Sequence, residues 1–241
     1  MAGGFEHSHD PAAVAERLAG GPRQNYLPDA VFGAIDGTVT TFAVVAGALG
    51  ADLSSRVVLI LGAANLLGDG FSMAAGNFLA TRAMREEFAR LRLIEQRHMA
   101  LDPEGERTEI REIYRRKGFT GDALETLTRL ITSRPKVWLE TMLAEEYGAS
   151  VTARSPAAAA IVTFVAFVIA GALPLVPFLT AVAEPAAVAT VATGVVFFLI
   201  GTAKSRWSPR SWWACGLETL SVGMGAALVA FGAGWLINRL V

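Results

Sequence analysis

Long apolar runs fall in two blocks of this 241-residue chain, roughly 27–81 and 156–238, and a charged stretch, about 82–155, separates them. A soluble globular chain alternates apolar and charged residues throughout. Here they are segregated, which makes the bilayer the expected solvent of both blocks. A helix rising about 1.5 Å per residue needs roughly 20 apolar residues to cross about 30 Å of hydrocarbon. Five segments qualify, at about 28–51, 57–81, 157–183, 186–203 and 212–237. Pro28 suits a helix start, and Pro174 and Pro177 predict a kink or an early stop in the third span. Trp212, Trp213 and Trp235 are placed as interfacial anchors of the fifth.

The intervening stretch reads as shorter helices. Residues 82–99 contain no breaker, so the second span continues as an amphipathic helix to about Leu101. Asp102-Pro103 has the form of an N-cap and first-turn proline, opening a helix that ends at Lys117-Gly118. Thr120 caps another over 121–132, and Pro135 starts a last one ending at Tyr147-Gly148.

Composition adds limits. The chain is 53% hydrophobic with mean hydropathy +0.43. The central stretch nevertheless holds 14 of the 21 Lys and Arg and 13 of the 22 Asp and Glu. A net charge of −1 gives no support for nucleic-acid binding. The single cysteine, Cys215, excludes an intrachain disulfide and a cysteine zinc cluster. The N-terminus shows no basic region leading into an apolar one, so the first span is expected to serve as the insertion signal. Arg17, Arg23, the central stretch and the loop with Lys204, Arg206 and Arg210 carry 19 basic residues on one side; Arg56 and Arg239 make 2 on the other. Positive-inside bias puts the N-terminus and the insert in the cytoplasm. With 18 Arg to 3 Lys, a GC-rich bacterial source and its plasma membrane are expected.

Several polar residues interrupt the spans. Asp36 lies about eight residues into the first, with Thr40 one turn on, and Gly33 and Gly37 form a GxxxG pair suited to close helix approach. A carboxylate at this depth costs about 2.5–3.5 kcal/mol and usually faces a pore or a partner; a site near the surface, capped by hydroxyls, is the structural alternative. In the second span Asp69, Ser72, Met73 and Asn77 form a polar stripe. Met73 on that stripe would suit a soft cation, although methionine more often fills gaps in a core. Glu218 in the fifth span reads either as a proton-coupling acid or as a packing partner.

The insert carries ligand types at helical spacing: Glu95 with His98, Glu106 with Glu109, and Met142 with Glu146. Each pair shares one helix face, so three packed helices could converge on a cation. Against this, surface glutamates are commonly solvated or paired with arginine, which is plentiful here. Carboxylate and imidazole suit iron, manganese or zinc, and the methionine favours the softer members. Glu95-Gln-Arg-His98 also matches the Glu-x-x-His unit of di-iron bundles, but only one unit exists where two are needed. A membrane-anchored iron-binding or iron-oxidising protein without transport is therefore the weaker alternative. The expected fold is all-α: a polytopic membrane protein with five transmembrane helices and a cytoplasmic helical metal-binding insert between helices 2 and 3. Its parts are 1–26, 27–81, 82–155 and 156–241.

Asp36-Gly-Thr-Val-Thr-Thr-Phe42, Asp69-Gly-Phe-Ser-Met-Ala-Ala-Gly-Asn77 and the charged insert directly after them resemble the vacuolar iron transporter family. The resemblance runs from about Tyr26 to Leu240. It implies a homodimeric antiporter, not an enzyme, that exports Fe²⁺, and sometimes Mn²⁺, from the cytoplasm in exchange for protons, with no organic cofactor. Zn²⁺ and Co²⁺ are chemically admissible cargoes. Asp36 and Met73 would be ligands of a path lined by the first helices, and the insert ligands would fall on Glu95, His98, Glu106, Glu109, Met142, Leu143 and Glu146. His98 stands where a glutamate is expected and remains a competent ligand; Leu143 stands where a methionine is expected and cannot bind metal.

Overall fold

A computed structural model describes residues 8–20, 24–149, 154–180 and 182–240. Arg23, counted in the orientation argument, and Ala181, inside the third expected span, lie outside the described residues. Ten α-helices and no strand occur among the described residues. The chain divides into two compact units, Asn25–Thr81 with Ser155–Val241, and Arg82–Arg154 with the N-terminal segment.

The first unit is built from apolar helices. α2 (Leu27–Gly50), the leading part of α3 (Ser55–Leu101), α7 (Pro156–Ala172) with α8 (Val176–Leu179), α9 (Pro185–Lys204) and α10 (Trp212–Leu240) supply five segments long and apolar enough to cross a membrane. The expected all-α, five-span architecture is therefore present. Large apolar side chains point outward along the spans, among them Phe71, Ile161, Val191 and Leu228, as hydrocarbon solvent requires. At Pro174 the expected break occurs: α7 stops at Ala172, and a 3-10 turn over Leu173–Leu175 leads into the four residues of α8.

α2 packs against α7 and α10, and glycine sets both approaches. A Cβ on Gly37 would lie 2.9 Å from Phe167 Cα, with the Phe167 carbonyl oxygen closer still, and one on Gly33 would meet the Thr163 carbonyl. Near the other end of α2, Gly50 abuts the backbone of Phe231 and Trp235, and Gly234 of α10 abuts the Gly47 carbonyl. The close approach read from Gly33 and Gly37 is thus made within the chain, to α7. Glu218, in the second turn of α10, accepts a hydrogen bond from Arg210 Nη1 at 2.9 Å in an exposed ion pair.

The second unit holds the trailing turns of α3, α4 (Pro103–Arg116), α5 (Gly121–Thr132) and α6 (Pro135–Glu145) around Ile110, Ile131, Trp138 and Met142. Asp102 caps α4 as expected, its Oδ1 accepting from Gly105 N–H at 3.0 Å. Thr120 occupies the N-cap position of α5, but its side chain makes no capping bond. One helix was not expected: α1 (Pro11–Ala19), where Asp10 Oδ1 accepts from Ala12 N–H at 3.0 Å. Asp10-Pro11 repeats the cap-plus-proline signal of Asp102-Pro103.

Candidate metal centre

Glu95 and His98 stand one turn apart near the end of α3, and the turn capped by Asp102 brings Glu106, in the first turn of α4, back beside them. His98 Nδ1 lies 3.8 Å from Glu95 Oε1 and 3.6 Å from Glu106 Oε1. These separations are too long for hydrogen bonds. They do suit two donors each about 2.1 Å from a common ion, which lie about 3–4 Å apart. One donor atom from each residue fits within a 4.8 Å sphere of mutual distances. Glu95 is 1% exposed and Glu106 5%, yet Glu95 Oε2 and Glu106 Oε2 have no hydrogen-bond partner. Buried carboxylate oxygens without donors are costly, and a proton or a divalent cation relieves them. The His98 side chain is 52% exposed, giving the cluster an opening to solvent.

Electrostatics separates this cluster from the other glutamates of the insert. Burial, then the charges of Glu95 and Glu109, raise the Glu106 carboxyl from its ordinary 4.5 to about 8. Partial burial and the same two neighbours raise Glu146. Glu112 shows the opposite case: hydrogen bonds from Arg115 and Arg116 pull it down to about 2. Arginine likewise pairs with Glu86, Glu87, Glu104 and Glu125. Among the described residues no Lys or Arg pairs with Glu95, Glu106, Glu109 or Glu146. The insert's ion pairs thus fall on other acids, and these four carboxylates stand without a cationic side chain of Lys or Arg.

The structure therefore brings Glu95, His98 and Glu106 together and sets Glu109 and Glu146 within electrostatic reach of Glu106. Met142 is fully buried in the apolar cluster with Ile110, Ile131 and Trp138. The sequence reading missed Tyr147, whose hydroxyl donates to Glu95 Oε1 at 2.8 Å.

In the membrane unit a cavity of about 560 Å³ is lined by Asp29, Phe32, Asp69, Ser72, Met73 and Asn77, among others. The stripe read from the second span thus faces one space. Asp36 is half-buried, close enough to Asp69 for the two carboxylates to repel. Thr40 donates to the Asp36 backbone carbonyl at 2.9 Å, not to its carboxylate. Asn77 is committed to neighbouring helices: its Nδ2 donates to Asp29 Oδ1 at 2.9 Å and to Thr163 Oγ1 at 2.7 Å. Asp29, buried in the first turn of α2, is the second residue that sequence reasoning passed over; an acid there reads as ordinary helix-dipole complementarity.

Five apolar spans with acids inside them, and a helical module that gathers carboxylates, define a polytopic helical membrane protein equipped to handle cations. The chain belongs to the VIT family, whose family model matches residues 27–235. It is 31% identical over 229 residues to a vacuolar iron transporter of Toxoplasma gondii, covering 90% of this chain and 76% of that protein. Over 207 residues it is 31% identical to vacuolar iron transporter 1 of Eucalyptus grandis, covering 85% and 83%. The protein of the same name in Arabidopsis thaliana is also 31% identical, with 84% and 82% covered. Members of the family are transporters, not enzymes. These relatives are eukaryotic and named for the vacuole, and they give no support to the bacterial plasma membrane expected from arginine usage.

Proposed function

We propose that this protein moves Fe²⁺ across a membrane, out of the cytoplasm and in exchange for protons, with Mn²⁺ as a second cargo. The observation that carries this reading is the Glu95–His98–Glu106 cluster, with two buried carboxylate oxygens lacking donors. In this reading the insert faces the cytoplasm and collects the ion, with Glu109 and Glu146 as further ligands and Met142 joining them by turning its thioether out of the apolar cluster. Asp36 and Met73 then take the ion through the span region of a homodimer, in a bacterial plasma membrane. The relatives' names support iron as cargo, and the lopsided basic residues support the orientation. The test is uptake into proteoliposomes with an acidic lumen, with Mn²⁺, Co²⁺ and Zn²⁺ as competitors. Fe²⁺ accumulation that collapses with the pH gradient is expected; accumulation indifferent to the gradient would remove the proton exchange.

Cation binding to the insert is expected to depend on pH with a definite sign. Glu106 is raised to about 8, so the ion-free fold favours its protonated form and loses that stability as pH rises through about 8. A cation must displace this proton at lower pH. Apparent Co²⁺ affinity should therefore fall about tenfold per pH unit below 8, more steeply where Glu146 also holds its proton, and level off above. Proton release measured in weak buffer checks this, and an affinity flat from pH 6 to 8 would contradict it.

His98 gives the cluster its softer character. Replacing His98 with Glu is expected to shift competition toward Mn²⁺ and away from Zn²⁺ and Co²⁺, because carboxylate suits the harder ion and imidazole the softer. Competitive titration of the variant reads this directly; an unchanged order of preference would take His98 out of the ligand set.

A further inference from the structure

Tyr147 makes a contact that the sequence pattern does not explain. It follows the last turn of α6, where Gly148 adopts φ +63° and Ala149 N–H donates to the Leu143 carbonyl at 2.9 Å. That reversal holds the phenol over the cluster, and its O–H donates to Glu95 Oε1 at 2.8 Å. The phenol also contacts Glu146, and Glu95, the acid it meets at 2.8 Å, is a side chain 1% exposed. The oxygen it holds is also the one 3.8 Å from His98 Nδ1.

We propose that Tyr147 is a positioning residue of the cation centre: its phenol fixes Glu95 Oε1 in the direction that presents the carboxylate to an ion shared with His98 and Glu106. An ionised carboxylate has about four lone-pair sites. The phenol takes one on Oε1 and leaves another for the cation. A neutral donor does this without competing for the carboxylate's charge. An arginine in the same place would neutralise Glu95, as Arg115 and Arg116 do for Glu112. Tyr147 thus orients a ligand while preserving the repulsion among carboxylates that a divalent ion relieves.

The role rests on the reading of this cluster as a cation site, and the experiment separates the two. Full-length protein in detergent is titrated with Co²⁺, whose visible absorption reports coordination geometry, in the wild type, Tyr147→Phe, Glu95→Ala and the double variant. Partners that orient metal ligands typically contribute about 10–100-fold in affinity. Tyr147→Phe is expected to weaken Co²⁺ binding by that range and to change the shape of the absorption bands. In the Glu95→Ala background the same substitution is expected to cost nothing more, because its effect passes through Glu95. Gly148→Ala, which strains the left-handed turn, should act in the same direction. A Tyr147→Phe protein with wild-type affinity and spectrum overturns the role of the phenol alone. So does an equal loss in both backgrounds, the mark of a general loosening of the insert. A wild type that binds no Co²⁺ overturns the cation site, and the role with it.

Discussion

Proteoliposomes carrying Asp36→Ala are expected to take up no Fe²⁺ above the protein-free background, under a gradient that drives uptake by the wild type. Asp36 is half-buried within the first span and repels Asp69 on the neighbouring helix. A carboxylate in hydrocarbon costs about 2.5–3.5 kcal/mol to insert, so its presence there calls for a partner. A partly dehydrated divalent ion is a partner suited to such an acid. Removing the acid withdraws about as much stabilisation from the ion as the carboxylate cost to install, roughly a hundredfold in rate. Asp36→Asn keeps the size and removes the charge, and is expected to fail equally. The insert belongs to the other compact unit, so Co²⁺ binding by both variants is expected to persist. Uptake at the wild-type rate by either one would take Asp36 out of the path.

Gly37→Leu is expected to remove the folded protein altogether, seen as loss of the monodisperse species in detergent. The hydrogen of Gly37 points at the backbone of α7, where even a Cβ would sit 2.9 Å from Phe167 Cα and nearer to its carbonyl oxygen. Backbone atoms cannot rotate away, so the two helices must part. Overpacking a tight core typically costs about 1–3 kcal/mol, occasionally more. Here separation would also strip Gly33 from Thr163 and Gly171 from the Gly37 carbonyl. Gly76→Leu is the control: nothing lies within 4 Å of its added Cβ, and that variant is expected to purify like the wild type. A well-folded Gly37→Leu protein would show that the α2–α7 approach is softer than its geometry.

The fold was largely legible because its signals are local. Continuous apolar runs announce spans, and Asp102-Pro103, Pro135 and Pro174 mark boundaries through backbone chemistry that needs no distant partner. The same local signal at Asp10-Pro11 went unread; it opens a nine-residue helix with no buried residue. The cation centre was partly legible. Helical spacing paired Glu95 with His98 and Glu106 with Glu109, but spacing cannot show which glutamates arginine neutralises. That depends on contacts such as Arg111 with Glu125, fourteen residues apart and on different helices. Tyr147 was invisible for a related reason: its partner Glu95 is 52 residues away, and a tyrosine just past a helix end looks like an ordinary loop residue.

The glycine contacts on α2 also say which helices are free to move. α2 is joined backbone to backbone with α7 through Gly33 and Gly37, and with α10 through Gly47, Gly50 and Gly234. Sliding or turning α2 alone would drive carbonyl groups into one another, so these three helices can only travel as a single body. α3 is held differently: Gly62 and Gly70 meet the side chains of Leu175 and Phe167, which can change rotamer, and Gly68 and Gly76 meet nothing. Asp36, next to Gly37, therefore belongs to a stiff wall, while Asp69 and Met73 ride on a helix tied to that wall by the Asn77 hydrogen bonds to Asp29 and Thr163. A cation between Asp36 and Asp69 would meet a fixed wall on one side, and moving the second helix away from it means breaking the Asn77 bonds.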